Sequence, residues 1–165
     1  MAMEMNDLQD LFVDKLKDLY SAEQQGLTAM QQMAQKAQSP DLKQGLQQHI
    51  QQSQQQVQRL EQIFQQMGEQ PGGVTCEGMK GIVQEGQKTL KEDATPEVLD
   101  AAIIAAQQSG EHYEIAGYGT AYTYAKLLKN DQAAQLLEQT LNEEKQTDEK
   151  LTQIAQKINV QAMNA

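Results

Sequence analysis

The chain has 165 residues and a formal net charge of −10 at pH 7, with 23 acidic against 13 basic side chains, one cysteine, three prolines and no tryptophan. That length suits one domain, residues 1–165, able to bury a core without covalent staples. The acidic balance repels phosphate backbones and anionic lipid surfaces, which argues against nucleic acid as a partner. No run approaches the roughly 18 apolar residues that a membrane span needs, so no membrane partner is expected. A lone Cys76 cannot form an internal disulfide, and Met1-Ala2-Met3-Glu4 lacks a basic segment followed by an apolar one. The expectation is a soluble, cytoplasmic protein. Glutamine abundance, scarce aromatics and scarce proline favour long helices over a sandwich or barrel.

In chain order, Leu8, Phe12, Leu16, Leu19, Leu27, Met30 and Ala34 recur at helical spacing between Asn6 and Ala37, with Asn6 as the cap. Ser39-Pro40-Asp41 reads as a cap, a first-turn proline and a first-turn acid. A second stripe, Leu42, Leu46, Ile50, Val57, Leu60, Phe64 and Met67, then runs to Gly68. Glu69-Gln70-Pro71-Gly72-Gly73 breaks the pattern, and a weaker amphipathic piece with Met79, Ile82, Val83 and Leu90 predicts a short helix. Thr95-Pro96-Glu97 restarts a long helix carrying Leu99, Ile103, Ala106, Tyr113, Gly117, Tyr124 and Leu127, stopping near Asn130. A last helix carries Ala134, Leu137, Leu141, Leu151, Ala155 and Ile158. The four long helices are each on the order of 28 residues, or roughly 40 Å.

Two short links force two antiparallel hairpins, and the long segment between them can carry the chain back along the bundle. The fold expected is therefore all-α, a ferritin-like four-helix bundle with a long crossover containing a short helix. Both chain ends are expected at or near the same end of the bundle.

Carboxylates interrupt the apolar stripes near the middle of the long helices, where an unpaired buried charge is costly and calls for a counter-ion or metal. Glu23 lies at the centre of the first stripe. Glu144 and Asp148 fall inside the last one, and Glu111 and Glu114 flank the middle of the third, with Glu114 at the edge of the inward face and Glu111 further round. On the second long helix the same level holds His49, Gln52, Ser53 and Gln56. Antiparallel packing brings these to one level, the layout of a di-iron or di-manganese site with hard oxygen ligands. The plainer reading leaves Glu111, Glu114 and Asp148 solvated or paired with lysine, His112 at the surface, the tyrosines as packing and the methionines as filler. Cys76 has no histidine or second cysteine to activate it.

The stretches Leu19-Tyr20-Ser21-Ala22-Glu23-Gln24, Val57-Gln58-Arg59-Leu60-Glu61-Gln62-Ile63-Phe64 and Cys76-Glu77-Gly78-Met79-Lys80-Gly81-Ile82 are followed in order by Glu111-His112-Tyr113-Glu114-Ile115-Ala116-Gly117-Tyr118-Gly119 and by Glu143-Glu144-Lys145 with Asp148. Together they resemble the YciE/YciF group of ferritin-like, stress-associated bacterial proteins across nearly the whole chain. The resemblance implies a ferritin-like bundle, a homodimer and a di-metal centre. A more distant likeness to the rubrerythrin pattern matches Glu23, the pair Glu111 and Glu114, and Glu144. It departs where Thr147 stands in place of a histidine and where the second long helix offers His49, Gln52 and Gln56 instead of Glu-x-x-His. The ligand set expected is Glu23, His49, Gln52, Glu111, Glu114, Glu144 and Asp148, holding two metal ions, iron with manganese as the alternative, or one ion if the departure at Gln52 matters. The function expected is a di-metal carboxylate protein acting on iron, dioxygen or peroxide. The rival is a non-catalytic helical stress protein that works by association with itself or a partner.

Overall fold

A computed structural model of the chain describes residues 4–165. They form five α-helices: α1 (Leu8–Lys36), α2 (Pro40–Met67), α3 (Glu77–Thr89), α4 (Pro96–Leu127) and α5 (Asp131–Met163). Local chemistry accounts for the boundaries. The Asp7 carboxylate, rather than Asn6, accepts the Asp10 amide at the start of α1. Ser39 caps α2 ahead of Pro40, and Gly68 ends it in the left-handed conformation (φ 69°) that glycine adopts without steric cost. The third long helix stops near Asn130 as expected, at Leu127, and Asn130 itself starts α5 by accepting the Ala133 amide. No described helix is long and apolar enough to cross a membrane.

The helices α1, α2, α5 and α4 pack in that order around a square, with α3 laid across α1 and α4. Asp41 at the start of α2 pairs with Lys157 near the end of α5 (3.5 Å), and Asp100 in the first turns of α4 reaches the α1–α2 link. The starts of α2 and α4 and the end of α5 therefore share one end of the bundle, while α1 begins at the other. Every neighbouring pair around the square is antiparallel. This is the ferritin-like arrangement with its long crossover, and it corrects one expectation: the chain ends lie at opposite ends of the bundle. The crossover makes α4 run parallel to α2, so the second hairpin reverses the sense of the first instead of repeating it, and the chain finishes at the end of the bundle where α1 does not begin.

The core is split in two along the bundle. Phe12, Leu16, Leu19, Leu60, Ile63, Phe64, Tyr118 and Leu137 fill one half. Met33, Leu42, Leu46, Ile103, Ile104, Leu151 and Ile158 fill the other. Full burial of such a side chain contributes about 1.5–3 kcal/mol, and these two halves surround a polar layer at mid-height. A small third cluster of Ala22, Cys76 and Met79 seats α3 against the bundle. Two glycines allow close approach there: a Cβ on Gly78 would lie 2.6 Å from the Tyr113 ring, and one on Gly117 would lie 2.7 Å from Leu19 Cδ2.

Asp100 is 4% exposed and its two carboxylate oxygens accept the Gln38 and Ser39 amides at 2.8 and 2.7 Å. It supplies two backbone groups of the α1–α2 turn with charged partners. Asp100→Ala is expected to lower unfolding free energy by about 2–3 kcal/mol in urea denaturation. An unchanged midpoint would show that the turn is held by other means.

Candidate metal centre

The polar layer takes its side chains from the middle of all four long helices. Glu23 comes from α1, His49, Ser53 and Gln56 from α2, Glu111 and Glu114 from α4, and Glu144 from α5, and every one of them is buried. His49, Glu111, Glu114 and Glu144 each offer one donor atom, all within 4.8 Å of one another. Glu23 flanks this group, near enough for its charge to act on Glu114 and Glu111. Glu111 is buried more deeply than its helical angle suggests, because α4 is packed on three sides, against α5, α1 and α3.

Three carboxylates are each held by one oxygen. Tyr118 Oη donates to Glu23 Oε1 (2.5 Å), Gln107 Nε2 to Glu111 Oε1 (2.5 Å) and Gln56 Nε2 to Glu144 Oε1 (2.6 Å). Their second oxygens, Oε2 of Glu23, Glu111 and Glu144, are buried without a hydrogen-bond partner. His49 Nε2 stands 2.9 Å from Glu111 Oε1 and 3.9 Å from Glu144 Oε2, close to the first but out of line for a hydrogen bond. On its other side, His49 Nδ1 faces Gln52 Oε1 (3.5 Å) and Thr147 Oγ1 (3.4 Å). A proton carried on Nδ1 leaves the Nε2 lone pair free to bind a metal.

The tethers are themselves braced. Ser53 Oγ donates to Gln56 Oε1 (3.3 Å), and Gln56 Nε2 also reaches Glu143 Oε2 (3.2 Å). Glu143 in turn receives a two-pronged hydrogen bond from the Arg59 guanidinium at 2.6 and 2.8 Å.

Of the residues expected from the sequence, Glu23, His49, Glu111, Glu114 and Glu144 come together. Gln52 lies one step outside, against Nδ1 of His49 and the Thr147 hydroxyl (3.3 Å) rather than in the group. Asp148 faces away, accepting from Gln108 Nε2 (3.0 Å) and lying 3.1 Å from Nε2 of the exposed His112. Four residues after Glu144 carry the helix about 40° past a full turn, which moves Asp148 from the centre of the layer to the α4 flank. Gln107, Gln56 and Tyr118 acquire roles that the sequence reading did not give them. Gln107 sits four residues before Glu111 and Tyr118 four after Glu114 on the same helix, so their spacing from the acid pair was the available signal.

Burial drives the electrostatics. It pushes Glu23 up to about 8, with the Glu144 charge adding and the Tyr118 hydrogen bond opposing. It pushes Glu111 up to about 7, and Glu114 and Glu144 well above the usual carboxylate range, each with neighbouring glutamates adding to the rise. The Tyr118 hydroxyl is raised in the same way. Outside the layer, burial raises the Cys76 thiol, whose Sγ lies 3.0 Å from Tyr113 Oη.

The donor set fits a divalent metal. Four buried carboxylates and one imidazole are the hard and borderline ligands of iron and manganese, and the unpartnered oxygens are the atoms a cation would satisfy. Without metal, the folded protein binds these protons more tightly than the unfolded chain, whose glutamates titrate near 4.5. Metal-free protein is therefore expected to lose stability as pH rises from about 4.5 to about 8. Urea midpoints at both ends of that window, in chelator, check this; a midpoint that held or rose with pH would contradict it.

Comparison with known proteins identifies the family and agrees with the fold. Residues 7–164 match the family described as a domain of unknown function, DUF892. The chain is 38% identical to protein YciF of Escherichia coli K12 over 164 residues, covering 98% of this chain and 99% of that one. The crystal structure of that E. coli stress protein superposes with a TM-score of 0.90 at 37% identity, covering 93% of this chain and 98% of the other. YcfI of Rhodopseudomonas palustris, described as a putative structural protein, gives 0.88 at 41% identity, covering 92% and 97%. A dodecameric thioferritin of Bacteroides fragilis shares the fold alone, with a TM-score of 0.74 at 14% identity over 96% and 91% of the two chains. With both a family match and a close relative spanning almost all of its length, the chain belongs to the DUF892 family.

Proposed function

We propose that the chain is a ferritin-like di-metal carboxylate protein whose centre is held by Glu23, His49, Glu111, Glu114 and Glu144, and that it takes part in a stress response by oxidising iron with dioxygen or peroxide. The observation that carries this reading is the buried group of His49, Glu111, Glu114 and Glu144, with unpartnered Oε2 atoms on Glu111, Glu144 and the flanking Glu23. Iron is the first choice of metal and manganese the second, because the donors are mostly hard oxygens with a single imidazole. Two bound ferrous ions would supply two electrons jointly, converting one dioxygen and two protons to hydrogen peroxide, or one hydrogen peroxide and two protons to two waters.

The chain's own residues have separable tasks. The tethers from Gln56, Gln107 and Tyr118 hold one oxygen of Glu144, Glu111 and Glu23 and leave the second oxygen of each buried without a partner. His49 adds a neutral nitrogen donor, and the two apolar half-cores exclude bulk water. Gln52 acts around the centre through His49, while Asp148, paired with the exposed His112, lies outside it. The stress assignment is supported by the E. coli relative, which is a stress protein. We also propose a homodimer formed along α4, which carries Val98 and Leu127 exposed at 42% and 66%. The description of the R. palustris relative as a putative structural protein favours the rival reading, a helical scaffold acting by association. Metal analysis of protein purified without added metal separates the two.

Added Fe(II), Mn(II) or Co(II) at about a hundredfold excess over Kd is expected to raise the melting temperature of chelator-treated protein by about 5–10 °C. Glu144→Ala or Glu23→Ala is expected to abolish that rise while leaving the metal-free protein as stable or more so, since each removes a buried acid. A wild type whose melting temperature ignores every divalent ion would end the proposal.

A further inference from the structure

Two clefts reach the polar layer from different sides, and they differ in the polar side chains that line them. One lies between α2 and α5 and is lined in part by Gln48, His49, Gln52, Thr147 and Lys150. The other lies beneath α3, between α1 and α4, with half-buried Val83 at its rim, Met30, Met79 and Gly110 along its walls, and the Glu114 carboxylate at its floor. Apart from Glu114 and Gln107, every residue lining the second cleft is apolar. It leaves about 20 Å³ for the centre of a water-sized molecule, room for one small molecule and not for an organic substrate.

Two helix-interior glycines keep this cleft open. Glycine weakens a helix relative to alanine, so its presence there calls for a reason. At Gly117 the reason is contact with Leu19. At Gly110 a Cβ would meet nothing closer than Met79 Cε at 4.0 Å, and at Gly26 nothing closer than Glu114 Oε1 at 3.6 Å. Alanine fits at both positions, so packing does not demand glycine. Both missing side chains leave space in the same cleft.

We propose that this cleft is the passage by which dioxygen reaches the carboxylate layer, an inference that rests on the di-metal reading above. An uncharged, apolar diatomic loses nothing on entering walls of methionine, alanine and valine, whereas a metal ion or hydrogen peroxide would give up hydrogen bonds or hydration along those walls before reaching Gln107 and Glu114. The cleft between α2 and α5 also has apolar walls, at Leu46, Leu151 and Ile154, but Gln48, Gln52, Thr147 and Lys150 give such species hydrogen-bonding groups there.

Dissolved dioxygen is paramagnetic, so its presence can be read in the full-length protein from relaxation of labelled methionine methyl groups under oxygen pressure. The methyls of Met30, Met33 and Met79, all buried, are expected to relax at least about twofold faster than that of Met163, which is 76% exposed. Gly110→Ala, which fills the wall, and Val83→Phe, which covers the rim, are each expected to cut that enhancement by at least half. In Fe(II)-loaded protein both variants are expected to slow oxidation by dioxygen several-fold while leaving oxidation by hydrogen peroxide unchanged. Cleft methyls that relax more slowly than Met163 while Fe(II) uptake is intact would overturn the passage alone, as would variants that oxidise at the wild-type rate in dioxygen. The enhancement without Fe(II) uptake would support the passage and sink the metal reading. Equal slowing with both oxidants would overturn the choice of dioxygen.

Discussion

Repulsion among buried carboxylates is the constraint around which this bundle is organised. Two unit charges 4.8 Å apart repel by about 3 kcal/mol at an effective dielectric of about 20. Glu111, Glu114 and Glu144 make three such pairs before Glu23 is added. Their sum is comparable with the whole unfolding free energy of a domain, about 5–15 kcal/mol. The layer therefore exists in one of two conditions, protonated or compensated by a cation, and the raised values of Glu23 and Glu111 describe the first. The fold accommodates either because two apolar half-cores sit on each side of the layer and each supplies stabilisation without needing the layer.

The choice of tethering groups follows from the same constraint. Glutamine, glutamine and tyrosine orient three of the carboxylates, and none of them carries a positive charge. An arginine or lysine in their place would neutralise the layer permanently and compete with any ion that entered. Arg59 is present, but it is spent on Glu143, and its influence arrives only through Gln56, which bridges Glu143 and Glu144. The layer keeps its negative capacity while each ligand loses rotational freedom in advance, which is how surrounding hydrogen bonds raise affinity at a metal site.

Much of this was legible in the sequence, for physical reasons that also explain what was not. Helix spans follow from periodicity, from cap chemistry at Ser39-Pro40 and Gly68, and from the first-turn Pro96, all of which are local. Glu23 and Glu144 stood out because each lies at the centre of an otherwise apolar stripe. Asp148 seemed equivalent to Glu144 because a spacing of four keeps the same face approximately, and the overshoot matters only once α4 is seen beside it. Glu111 looked peripheral because a helical wheel assumes one buried face, while α4 has three neighbours. Tyr118 reads from the sequence as packing and nothing in it singles out Gln107, since a hydrogen bond to an acid on the same or another helix leaves no mark on hydropathy. The placement of the chain ends required following the direction of each helix through the crossover, which no local signal encodes.

The crossover links topology to chemistry. A simple up-and-down bundle joins its second and third helices by a tight turn and leaves every seam open to solvent. Here the connection passes over the α1–α4 seam, and its helix is pinned by Cys76 and Met79 against Ala22, with the Cys76 amide donating to Ser21 Oγ (3.0 Å) and the Gln25 amide group donating to the Cys76 carbonyl (3.1 Å). That roof lies over the seam containing Glu23, Glu111 and Glu114, and it deepens the desolvation that raises them. The segment that makes the arrangement ferritin-like is thus also the one that keeps water off the layer. Loosening α3, for instance by widening the close Gly78–Tyr113 contact, would act on the carboxylates through solvent access without touching any of them.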